Sequence, residues 1–82
     1  MKFDLSEIAK ENPSNATYTY VAKWLIENTP VGGVSVVSSV IGIDGVEVGP
    51  KHIRPFIAQK VTGGQKIVTR FIAGSLHVWR IA

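Results

Sequence analysis

Glycine and proline cut this chain into pieces that can form only short helices and hairpin strands. Asn12-Pro13, Thr29-Pro30 with Gly32-Gly33, Gly42, Gly49-Pro50, Gly63-Gly64 and Gly74 each stop a helix or turn a strand. Proline removes a backbone donor and glycine relaxes the restriction on φ, so such positions punctuate whatever lies between them. The longest charge-free run, residues 28–43, contains a proline, glycines and several serines, too short and too polar to span a bilayer. With 82 residues there is room for one domain, residues 1–82. It buries about 60–65% of its unfolded surface, which means a small core. The absence of cysteine excludes disulfides, zinc ribbons, iron–sulfur clusters and thiol catalysis together. Acids interrupt the opening Met-Lys-Phe-Asp-Leu-Ser-Glu, which is therefore unlike a secretory signal. The expectation is a cytoplasmic (intracellular) domain with no membrane partner.

Between the breaks, hydrophobic spacing assigns the elements. Residues 3–11 suit one or two helical turns, so residues 1–13 read as an N-terminal extension or short helix before a body at 14–82. Ser14 or Asn15 can cap a helix over Ala16–Glu27, where Tyr18, Val21, Ala22 and Leu25 fall on one face. Residues 34–41, Val-Ser-Val-Val-Ser-Ser-Val-Ile, admit two readings. Their β-branched residues favour a strand. The spacing of Val36, Val37, Val40 and Ile41 instead suits a short helix capped by Ser35 and closed by Gly42, and a strand over 31–34 followed by that helix is the preferred reading. Residues 43–49 then form a loop turning at Asp44-Gly45. A third helix covers about 51–62, where Pro55 lies in the first turn or kinks it. The tail reads as a hairpin, 66–73 and 76–82, with Gly74-Ser75 as a type II′ loop pairing Phe71 with Val78 and Arg70 with Trp79. Nothing in the pattern says which face of this hairpin is buried.

Charge is segregated along the chain. All six acids lie at or before Glu47, so the first 47 residues, with three lysines, carry −3. The last 35 residues hold six cations and no acid, a charge of +6. Clustered cations displace counterions from a phosphate backbone, and acids nearby would cancel that gain. The asymmetry points to a polyanionic partner.

The order of elements, helix, short strand, helix 35–41, helix 51–62 and terminal hairpin, resembles a winged helix-turn-helix DNA-binding domain. The resemblance is carried by Val34–Gly42, by Pro50–Val61, and by Gly63-Gly64 followed by Lys66–Ile81, and covers about residues 14–82. It implies an α+β fold of about three helices with a C-terminal β-hairpin, the second turn helix entering the major groove and the hairpin acting as a wing. Lys51, His52, Arg54, Gln59 and Lys60 then lie on the recognition segment, and Lys66, Arg70, His77 and Arg80 on or beside the wing. A different small α+β arrangement of helices on a hairpin is the rival architecture. On chemical grounds Arg54 suits bidentate reading of guanine and Gln59 of adenine, while Lys51, Lys60 and Lys66 suit phosphate contacts. Arg70 and Arg80 suit a minor groove or a cation–π contact with Trp79.

Catalytic patterns are sparse. His52 and His77 have no acid after Glu47 to join them at a metal, and Ser35, Ser38 and Ser39 lack a nucleophile elbow. Residues 45–51 lack the Gly-Lys-Ser/Thr end of a phosphate loop. No cofactor and no enzymatic activity are expected. Stacking of single-stranded bases on Trp24, Phe71, Trp79, Tyr18 or Tyr20 requires those rings to be exposed beside cations. The leading expectation is a small regulator of double-stranded DNA, in the style of a viral or mobile-element protein. The alternative is an adaptor or inhibitor that docks a basic and apolar face on an acidic protein. A homodimer is compatible with either.

Overall fold

Asp4 opens the first helix. Its Oδ1 accepts hydrogen bonds from the Ser6 and Glu7 backbone N–H groups and from the Ser6 hydroxyl, satisfying donors that a helix start leaves free. The Ser6 hydroxyl above all, with these amides, holds the Asp4 carboxyl below its ordinary pKa. The computed structural model describes all 82 residues, beginning with strand β1 (Lys2–Asp4) and helix α1 (Leu5–Glu11). Asn12-Pro13 ends α1 as expected. The next helix, α2 (Tyr18–Asn28), starts two residues later than the pattern suggests. Residues Pro13–Asn15 form a 3-10 turn, and the cap is Thr17, whose Oγ1 accepts from the Tyr20 N–H at 3.1 Å, in place of Ser14 or Asn15. Val21, Ala22, Leu25 and Ile26 form the buried stripe of α2, while Trp24 covers an edge and meets Phe3 edge-on at 5.3 Å.

The largest departure from expectation is at residues 35–41, which form strands rather than a helix. Val34–Val37 is β2 and Ser39–Ile41 is β3, separated by Ser38 alone. β-branched side chains lose rotamer freedom in a helix, and here two distant segments offer pairing that overrides the helical spacing. β2 pairs antiparallel with the C-terminal strand, and β3 pairs parallel with β1. The strand expected at 31–34 accordingly moves to Val34–Val37, leaving Val31 exposed in the preceding turn. Ser35 caps no helix. Its hydroxyl shares a 2.6 Å hydrogen bond with the buried Thr29 hydroxyl at the end of α2. The segment expected as a loop turns at Asp44-Gly45 and returns as β4 (Glu47–Val48) against β3.

Pro50–His52 is a 3-10 turn leading into α3 (Arg54–Lys60). Pro55 lies in the first turn of α3, where its missing N–H costs no hydrogen bond, so the helix is not kinked. β5 (Ile67–Ile72) and β6 (Ser75–Arg80) form the C-terminal hairpin. Its loop is Ala73-Gly74, both at positive φ (51° and 81°), the type I′ geometry, in place of the Gly74-Ser75 loop. Phe71 therefore faces Leu76 rather than Val78, and Arg70 faces His77 rather than Trp79.

The chain is thus an α+β domain with three α-helices and two three-stranded sheets, ordered β1-β3-β4 and β2-β6-β5. Val37, Leu76 and Val78 on one face of the second sheet join Val21 and Leu25 of α2, Ile57 of α3 and Ile53 just before it in a single core. Each fully buried Leu or Ile there contributes about 1.5–3 kcal/mol. No helix is long and apolar enough to cross a membrane.

Candidate nucleic-acid interface

The acids pair only with cations of the N-terminal half. Three ion pairs form, Lys2–Glu47, Lys10–Glu7 and Lys23–Glu27, and they engage every lysine of the N-terminal half. None of Lys51, Arg54, Lys60, Lys66, Arg70 and Arg80 meets a carboxylate within 4.0 Å.

Helix α3 packs against the inner-face side chains of β5 and runs antiparallel to it. At one end Arg54 Nε donates to Thr69 Oγ1 at 3.1 Å, and its guanidinium stands over the Phe71 ring at 5.5 Å. At the other end Val61 and Ile67 share the same groove. This arrangement brings Lys51, His52 and Arg54 to one end of the helix–strand pair and Gln59, Lys60 and Lys66 toward the other; all six are exposed. The Arg54 fork is partly engaged, since Thr69 and Phe71 fix its orientation. The cation–π contact of the hairpin is this one, not one between Arg70 and Trp79.

Arg70 and Arg80 diverge. Arg70 is exposed on the face of the second sheet turned away from the helices. Arg80 turns inward and is half-buried. Its Nη1 donates to the Ile26 carbonyl at 3.1 Å and its Nε to the Ala82 carbonyl at 3.4 Å. That places a cation at the C-terminal end of α2, where unpaired carbonyls and the helix dipole favour it.

Comparison of the chain with known protein families, curated proteins and solved structures found no match. The site therefore rests on its own geometry. No group of three or more His, Asp or Glu side chains is close enough to hold a metal ion.

One feature of this surface escapes the sequence pattern. The outward face of the second sheet sets Val34, Trp79 and Val68 side by side in one row, and Val36, His77 and Arg70 in the next. His77 and Trp79 stack at 5.6 Å between centroids with 27° between planes. The alternation along β6 was a signal that these residues share a face. Which face is open is fixed by α2 and α3 covering the other, a long-range fact that the hairpin's own residues do not carry.

Proposed function

We propose that this chain binds nucleic acid without catalysing a reaction on it, with double-stranded DNA as a target. The observation that supports this best is the set of exposed cations along α3 and β5, none of them paired with an acid. Lys51, Lys60 and Lys66 act as phosphate contacts, which set affinity and register without reading sequence. Arg54, oriented by Thr69 and Phe71, keeps its terminal nitrogens available for a guanine edge, and Gln59 for adenine. Arg80 is left out of the interface, since it is engaged at the end of α2.

The test is binding to a random-sequence duplex, followed by fluorescence anisotropy across a salt series. The expected result is micromolar affinity at low salt, with log K falling linearly at about −0.9 per phosphate neutralised. Lys60→Ala should reduce that slope by about one phosphate contact. Absence of binding at low salt would overturn the reading, and an acidic protein would then be the partner to seek.

A further inference from the structure

The open face of the second sheet carries chemistry that a duplex does not need. Its rows, Gly32·Ile81·Lys66, Val34·Trp79·Val68 and Val36·His77·Arg70, contain no acid. They join one Arg and one Lys to a pair of stacked rings. Val34 is 48% exposed, so the platform is uncovered on the β2 side as well as at Arg70. Beside Trp79 the surface is concave. Gly32 and Gly33 on one side and Val68 and Arg70 on the other wall a hollow with Ile81 at its end. Glycine shapes this hollow: Gly32, at φ +82°, has no side chain to fill it, and a Cβ at Gly33 would lie 2.7 Å from Pro30 Cγ.

We propose that this face binds unpaired nucleobases of a single strand, with one base stacked in the hollow against Trp79 and the strand's phosphates held by Arg70 and Lys66. The inference rests on the nucleic-acid reading above but uses the opposite face of the second sheet, with Lys66 alone shared between the two surfaces. A base is a flat, apolar-faced ring that stacks on indole regardless of its identity, and the adjoining phosphates need cations at the rim of the platform. Both are present here. A bulk apolar partner would leave Arg70 and Lys66 at the edge of the contact without a counter-charge, and a duplex keeps its bases stacked on one another. The aliphatic Val34 and Val68 flank Trp79, one on each adjacent strand, and His77 stacks beside it.

The experiment titrates an oligothymidylate of about ten nucleotides, which forms no duplex, and follows tryptophan fluorescence. Trp24→Phe leaves Trp79 as the sole tryptophan, and its emission should be quenched as the oligonucleotide binds. Trp79→Leu should weaken single-strand binding by about tenfold or more, and Arg70→Gln should weaken it and lower the salt slope. Duplex affinity should be little changed by Trp79→Leu. Both side chains lie on the open face of the sheet, Arg70 exposed and Trp79 half-buried, and far-UV circular dichroism of each variant verifies that the fold is kept. Duplex binding with no oligothymidylate binding would overturn this proposal and leave the duplex reading intact. Oligothymidylate binding without Trp79 quenching, and equally tight in Trp79→Leu, would put the strand elsewhere and also overturn it. Failure with both ligands would remove both readings. A concentration-dependent dimer in sedimentation that shields Trp79 from the oligonucleotide would assign the face to a second copy of the chain instead.

Discussion

Arg70 and Arg80 belong to the same hairpin and the same basic half, yet their surroundings give them opposite work. Along a strand, side chains alternate between faces. Arg80 shares the inner face with Leu76 and Val78, whereas Arg70 faces outward opposite His77. The inner position would be costly for a cation without partners, and the Ile26 carbonyl supplies one. Arg80→Ala should therefore destabilise the domain by about 1–2 kcal/mol, from the lost charge-assisted hydrogen bond and helix-end charge. Urea denaturation measures this, with Arg80→Lys recovering only part because a lysine lacks the fork that reaches two carbonyls. Duplex affinity, measured well below the midpoint, should be unchanged by Arg80→Ala, in contrast to Lys60→Ala. At this scale the sequence showed that Arg80 is a cation but not that it is turned inward, because that depends on the end of α2, more than fifty residues away.

The elements divide by how local their causes are. α2 was legible because its buried stripe repeats at helical spacing and Thr29-Pro30 ends it; only its cap was misplaced, by a 3-10 turn that moved the start to Thr17. The 34–41 run was not legible. Its valines and serines satisfy both periods, and the segments that decide between them, β1 and β6, lie at opposite ends of the chain. The hairpin was legible as a hairpin, whereas its register was not. Ala73-Gly74-Ser75 offers two loops of two residues, and the one adopted requires alanine at φ 51°, a conformation that its Cβ disfavours. Ala73→Asn, or Ala73→Gly, should relieve this and raise stability by roughly 0.5–1 kcal/mol. A thermal melt would rise by a few degrees. An unchanged or lowered melting temperature for both variants would mean that the loop is not the type I′ turn described.

On the scale of the whole molecule, charge is the organising variable. Lysines 2, 10 and 23 are neutralised by neighbours, whereas the cations of the C-terminal half have no acid beside them. Like charges in solution repel over about 10 Å at 0.1 M salt and less above it. Raising salt should therefore increase the domain's thermal stability modestly while it weakens nucleic-acid binding. Melting and anisotropy measured over the same salt series should move in opposite senses; a melting temperature that falls with salt would show that the cations do not repel one another in the fold. That the cations of the second half would lack acid partners was legible from the positions of the acids, since Glu47 is the last of them. The platform of Trp79 and His77 was not, because burial of the opposite face is a product of the complete fold. The unbroken extended run from Val34 to Ile41 has a consequence of its own. It serves one sheet up to Val37 and the other from Ser39, with Ser38 bound to the Met1 carbonyl at the crossing. No seam divides the chain there, and neither sheet can be excised as a miniature, since a cut at the crossing would orphan an edge on each side of it.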